Sequence, residues 1–181
     1  MDDDQQPVLY LVVCGAPPAA EVEPFVVACQ AIGWDLCVVP TRIGRRFLDT
    51  GRLVKLTGHP LRDDYKFPHE EDVLPPADAL VVAPATFNTV NKLAVGVSDT
   101  VALGLLNEAI GSGTPVVVAV RTSEGLAAHP AFDRHVEALR SYGVRLLPHT
   151  IGNDAPFPWD DLREVAAELH ASLAPSPAGE P

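Results

Sequence analysis

Residues 77–100 read ADALVVAPATFNTVNKLAVGVSDT. Residues 79–83 form an apolar run that stops at Pro84, the form of a strand buried on both faces. The chain then opens into a polar turn, Thr86-Phe87-Asn88-Thr89, followed by a helical pattern and a second turn, Gly96-Val97-Ser98-Asp99. Strand, turn and helix N-terminus in that order is where an α/β protein holds an anionic ligand, outside the carboxyl ends of its strands.

The alternation extends in both directions. Upstream, residues 8–14 (VLYLVVC) are a continuous apolar run ended by Gly15, which predicts a central parallel strand. Residues 21–32 carry apolar side chains at helical spacing and stop at Gly33, a usual helix terminator. Residues 35–40 (DLCVVP) predict a second strand, with Thr41 placed to cap a short helix running through Phe47. Downstream, helices are expected over 88–95 and 99–112, a strand over 115–120, a helix over 131–142, a strand over 144–147 and an amphipathic helix over 160–173. Residues 53–76 show no strong periodicity and read as a short helix, a short edge strand and a long loop. Strands alternating with helices give an α/β class: a single-domain, doubly wound parallel sheet, a Rossmann- or flavodoxin-like three-layer sandwich. Its expected extent is 8–173, between a disordered acidic tail at 1–7 and a disordered tail at 174–181.

Composition narrows the partners. The chain has 181 residues and a formal net charge of −11, a field that repels nucleic acid. Its apolar runs are short and end at Gly or Pro, so no membrane span is expected. The acidic start, MDDDQQP, is unlike a secretory signal, and a cytoplasmic location is expected. Cys14, Cys29 and Cys37 each fall in an apolar element with no C-x-x-C pair, and read as buried hydrophobes rather than disulfide partners or zinc ligands.

The turn after the first strand contains one glycine, Gly15, where a dinucleotide fingerprint needs three, and no Walker lysine exists. A mononucleotide phosphate remains possible on the helix N-terminus after Gly15 and Ala16, with help from the Thr41 hydroxyl. Asn88 stands at a strand end with an amide that both donates and accepts, suited to a ring edge or a carboxylate, or else to an N-cap or Asx turn. His69 lies in a loop and is a candidate base near neutral pH. Glu70, Glu71 and Asp72 form either a carboxylate cluster or a solvated loop. His59, His129, His135, His149 and His170 show no ligand spacing, so no metal is expected, and no G-x-S-x-G elbow supports a serine hydrolase.

In order along the chain, these segments resemble one family, the homo-oligomeric flavin-containing cysteine decarboxylases. That group includes the phosphopantothenoylcysteine decarboxylases and the decarboxylases of lantibiotic peptides. The first strand with Gly15 looks like the family's phosphate turn, and Pro40-Thr41-Arg42 with Phe47 like its second-strand segment. Leu56-Thr57-Gly58-His59-Pro60-Leu61 is similar to its L-S/T-G-x-P-V stretch. Pro84-Ala85-Thr86-Phe87-Asn88-Thr89 matches the P-A-S-A-N-T motif, and Lys92-Leu93-Ala94 with Gly96-Val97-Ser98-Asp99 resembles the helix and turn that complete the flavin site. His69 falls near the active-site histidine, about one residue further upstream than the family spacing. His129-Pro130-Ala131, Leu139-Arg140 and Gly143-Val144 look like the late helix and strand.

The resemblance implies FMN as cofactor, held by Gly15, Ala16, Thr41, Phe47, Pro84, Ala85, Thr86, Asn88, Ser98 and Asp99, with His69 and Asn88 catalytic. It implies oxidation of a cysteine side chain to a thioaldehyde, loss of the adjacent carboxylate as CO₂, and an enethiol product. It also implies a homotrimer or a dodecamer of trimers with FMN between subunits, acting on a small thiol or a peptide. Two departures stand out. Where the family carries the P-A-M-N-x-x-M-W clamp, this chain reads VRTSEGLA, with Ser123 in place of the clamp asparagine. Arg121 offers a bidentate carboxylate partner there instead. No cysteine follows Cys37, so the reductive step of the coenzyme A branch has no candidate residue, and a peptide C-terminal cysteine is the expected substrate. The alternatives are an FMN-binding protein without decarboxylase activity, a phosphopantothenoylcysteine decarboxylase-like enzyme and a flavin prenyltransferase-like enzyme.

Overall fold

The computed structural model describes residues 6–65, 69, 73–152 and 154–173. Most of the expected tail at 1–7, all of that at 174–181, and the Glu70, Glu71 and Asp72 cluster lie outside the described residues.

Among the described residues six parallel strands form the sheet: β1 (Val8–Val13), β2 (Asp35–Pro40), β3 (Ala79–Ala85), β4 (Val116–Thr122), β5 (Arg145–Leu146) and β6 (Thr150–Ile151). The order is β2-β1-β3-β4-β5, with β6 also on β4. The apolar runs in β1, β3 and β4 are buried at every position, as a sheet covered on both faces requires. Alternate residues divide between two cores. Leu9, Leu11 and Val13 join Leu36, Val38, Val81 and Val117 under helices α1 (Glu23–Ala31) and α7 (Trp159–Leu173). Tyr10, Val12, Leu80, Val82, Val118 and Val120 lie under α3 (Phe87–Ala94), α4 (Val101–Ser112) and α6 (Pro130–Ser141). This is the doubly wound three-layer sandwich.

Several boundaries differ from expectation. The helix expected over 21–32 begins at Glu23 and follows a 3-10 turn, Pro17–Glu21. Pro24 stands in the first turn of α1, where its missing N–H costs nothing. Helix α2 (Thr50–Thr57) starts on the Asp49 carboxylate, which accepts from Arg52 N at 3.0 Å, and ends at Gly58 with a left-handed φ of 76°. No strand occurs between α2 and β3 among the described residues, and part of the stretch where a short edge strand was expected, residues 66–68 and 70–72, lies outside them. The short helix α5 (Glu124–Ala127) and strand β6 are additions.

Strand β3 does not stop at Pro84 as the sequence suggested. It runs through a cis Ala83–Pro84 bond to Ala85, and its register against β4 shifts between Val82 and Ala85. Proline has no N–H for the ladder and is accommodated at such an irregularity. The shift reverses the alternation: Ala83 belongs to the α1/α7 core, whereas Ala85 belongs to the α3/α4/α6 core. Pro84 O in turn accepts from Cys14 N at 3.1 Å, tying the carboxyl ends of β1 and β3 together. Among the described residues, no helix is long and apolar enough to cross a membrane.

Candidate functional site

In the order 2-1-3-4-5, connections from β1 and β3 leave in opposite directions, and ligands of such sheets bind outside the carboxyl ends at that switch point. Two hollows lie there. One, of about 310 Å³, is lined by Ala16, Phe87, Arg121, Thr122, Ser123 and Leu126 among others. The other, of about 300 Å³, is lined by Thr41, Arg42, Lys92, Thr100, Ala102 and Leu103 among others. Both are lined by Gly15, Thr86 and Asn88, so the two meet at the turn after β3. A larger hollow of about 460 Å³, around Tyr10, Leu74 and Leu105, involves none of these residues.

Local chemistry builds the turn. Thr86 is the N-cap of α3: its hydroxyl accepts from Thr89 N at 3.4 Å and lies 3.1 Å from Thr89 Oγ1. Thr89 Oγ1 continues to Cys14 Sγ at 3.2 Å, a buried link from α3 to the end of β1. Burial pushes the Cys14 thiol above its ordinary pKa, the bond to Thr89 opposing only in part. With Thr86 as cap, Asn88 is released from that duty. It stands exposed in the first turn of α3, and its amide makes no hydrogen bond to the described residues.

The turn after β1 is tightly packed against the chain after β2. A Cβ on Gly15 would fall 2.3 Å from Ile43 Cγ2, and one on Gly44 would fall 2.1 Å from Val13 O. Thr41 joins the two: its hydroxyl accepts from Gly44 N at 3.1 Å and donates to Val13 O at 3.3 Å. It thereby ties the start of the following 3-10 turn (Gly44–Phe47) to the end of β1, while the N-cap position itself is Ile43 and not the expected Thr41. The helix N-terminus anticipated after Gly15 is absent. The 3-10 turn there starts with Pro17 and Pro18, which have no N–H, while Ala16 N and Ala19 N bond to Cys14 O and Ala16 O. An anion at this turn meets Gly15 N–H but no row of helix donors.

The second hollow supplies what that turn lacks. Lys92 and Arg42 line it together with the start of α4, where Thr100 caps by accepting from Leu103 N at 3.3 Å. Lys92 Nζ also pairs with Asp99 at 2.5 Å. Cations, hydroxyls and the positive end of a twelve-residue helix favour an anion.

The structure brings Gly15, Ala16, Thr41, Thr86, Asn88, Arg121 and Ser123 to these hollows. Pro84 and Ala85 are buried in β3 and shape the turn from beneath. Ser98 and Asp99 line neither hollow. The Ser98 hydroxyl accepts from Asn107 Nδ2 at 2.8 Å, and Asp99 acts through Lys92. Phe47, 37% exposed, and the exposed His69 also line neither. Arg121 is buried and donates to Ala155 O at 2.7 Å, and Ser123 caps α5 by accepting from Leu126 N at 3.4 Å. Thr100 and Thr122 escaped the sequence reading. A threonine between a helical turn and a hydrophobic run is a legible cap, which was the available signal for Thr100. Nothing local marks Thr122.

The chain belongs to the flavoprotein family, whose sequence model matches residues 3–169. It is 32% identical over 71 residues to the coenzyme A biosynthesis bifunctional protein CoaBC of Thermococcus kodakarensis, a match covering 39% of this chain and 17% of that protein. The chain thus spans well under a quarter of the length of the curated relatives it matches. Among solved structures, it is similar to the FMN-dependent cysteine decarboxylase SpaF, with a TM-score of 0.76, 23% identity and coverage of 93% of this chain and 99% of that one. It is likewise similar to the FMN-dependent cysteine decarboxylase TvaF from thioviridamide biosynthesis, with a TM-score of 0.74, 24% identity and coverage of 92% and 99%. At such identities these likenesses establish a shared fold.

Proposed function

Given membership of the flavoprotein family, we propose that the chain binds FMN across the β1/β3 switch point and acts as an oxidative decarboxylase of a thiol substrate. The observation that carries this reading is the pair of hollows meeting at Asn88, one cationic and hydroxyl-lined, the other apolar with Arg121 at its end. Their donor sets fit the two ends of a flavin site. Thr41, Arg42, Lys92 and the start of α4 would hold the phosphate, and Gly15 would allow its close approach at the switch point. The unpartnered Asn88 amide meets the ring edge or the substrate. FMN, when bound, supplies a two-electron acceptor that the side chains of this protein lack.

The chemistry is balanced if a C-terminal cysteine unit, –NH–CH(COOH)–CH₂–SH, gives up two hydrogens and CO₂ to leave the enethiol –NH–CH=CH–SH. Within that change, Arg121 and Asn88 orient the carboxylate, and Ala16, Pro17 and Phe87 exclude water from the reacting carbons. His69 takes the thiol proton. Because His69 lines neither hollow within one chain, that role requires a second copy, in keeping with the resemblance's oligomeric sites between subunits. The TM-scores to SpaF and TvaF and the match to the cysteine/cysteine sulfinic acid decarboxylase support this class. A cytoplasmic location belongs to the same proposal.

The visible spectrum of aerobically purified protein, with mass identification of released cofactor, tests the reading. Bound FMN is expected, and a colourless protein that takes up no added FMN overturns it. The His69→Asn variant then separates enzyme from carrier: it is expected to keep its flavin and lose CO₂ release from a cysteine-terminated peptide. Undiminished turnover removes His69 from the mechanism.

A further inference from the structure

The hollow over β4 contains a polar group with nothing to bond. Thr122, the last residue of β4, lines it and is 6% exposed, and its hydroxyl has no hydrogen-bond partner among the described residues. A buried hydroxyl in that state costs stability unless a ligand completes it. Strand alternation explains its placing. Val116, Val118 and Val120 face the α3/α4/α6 core and Thr122 continues that side, while Arg121 follows Val117 and Ala119 to the other. At the strand's end both reach the same hollow, so a hydroxyl and a guanidinium border one space.

The complement to a hydroxyl donor beside a buried cation is an anionic acceptor. The hollow is small, and Ala16, Pro17, Phe87 and Leu126 give it apolar walls. That lining suits a carboxylate on a short carbon stem better than a phosphate, for which the cations and the helix start lie in the neighbouring hollow. We propose that Thr122, together with Arg121, is the seat of the substrate's terminal carboxylate. This takes the place of the asparagine clamp whose position here reads Ser123, and it rests on the reading of a thiol-carboxylate substrate given above. The Thr122 hydroxyl donates to the carboxylate, and Arg121 supplies the charge.

The test uses two probes that cannot turn over: the tripeptide Ala-Val-Ser as free acid and as C-terminal amide, titrated calorimetrically into the protein as purified. The free acid is expected to bind at least about tenfold tighter than the amide, the scale of a hydrogen bond to a charged group. Thr122→Val is expected to lose about tenfold for the acid and nothing for the amide, while Thr122→Ser keeps the preference. The unliganded Thr122→Val protein is expected to melt at the same temperature or higher, because it exchanges an unpartnered hydroxyl for a methyl.

Equal affinity for acid and amide, or no binding of either, overturns the proposal without recourse to any variant. So does wild-type affinity of Thr122→Val for the acid. A lower melting point in Thr122→Val would mean that the hydroxyl serves the fold, for instance through a water shared with the likewise unpartnered His149 Nε2, and overturns it too. Loss of flavin absorbance in Thr122→Val places the residue in the flavin seat and overturns it. A wild-type protein without flavin that still prefers the acid sinks the FMN reading alone.

Discussion

At the scale of single residues, the turn after β3 divides labour between two neighbours. Thr86 holds the helix and Asn88 is left for a ligand. Thr86→Ala removes an N-cap and its contact to Thr89, and is expected to cost about 1 kcal/mol in a denaturant titration. Asn88→Ala removes an exposed amide without a hydrogen bond to the described residues, and is expected to leave stability within about 0.5 kcal/mol of wild type. It should weaken flavin or substrate binding all the same. Equal destabilisation by both variants would show that Asn88 serves the fold. The sequence left an N-cap or Asx turn open for Asn88 beside a ligand role, and the cap falls to Thr86. Only the φ, ψ and bonding at residue 86 separate the two readings.

At the scale of elements, α4 shows how one helix carries both strain and room. Gly104 and Gly111 both lie within it, where glycine is about 1 kcal/mol worse than alanine. A Cβ on Gly111 meets nothing within 4 Å, whereas one on Gly104 would fall 2.6 Å from Tyr65 Oη. That phenol lies across the helix start, donating to Ser98 O at 3.1 Å and to Thr100 O at 2.9 Å. Gly111→Ala is therefore expected to raise stability by about 0.5–1 kcal/mol. Gly104→Ala must displace Tyr65 and is expected to gain less than Gly111→Ala or to lose stability. If the two substitutions stabilised equally, the Tyr65 contact would be worth nothing. Periodicity and caps made α4 legible beforehand, as they did β1, β2 and α7. The end of β3 was not legible, because Pro84 marks a break in most strands. Its accommodation here depends on the shifted pairing with β4, a long-range fact. The early prolines, Pro17 and Pro18, likewise turned an expected helix N-terminus into a 3-10 turn poor in donors.

At the scale of the whole molecule, two apolar cores hold all three thiols out of water, and that gives the fold a chemical gauge. Residue chemistry made their burial legible in the sequence; the bond from Cys14 to Thr89, between segments 75 residues apart, was not. Cys29 and Cys37 are pushed up to about 12 by burial, and Cys14 is raised as well. A thiol raised in the native state contributes stability that is fully present below the unfolded value, 9.0, and is lost as pH rises toward the folded one. Stability is therefore expected to decline between about pH 9 and pH 12, a range in which replacing Cys29 and Cys37 by alanine should flatten the profile. At pH 8 a chromogenic thiol reagent should find no reactive group on the native protein and three per chain in denaturant. Because Cys14 lies directly beneath the Thr86–Thr89 turn, opening of α3 alone would expose it before the other two. A single thiol reacting early, and slowing when FMN is added, would tie the least stable part of the fold to the proposed site. Three thiols reacting together, at a rate FMN does not change, would separate them.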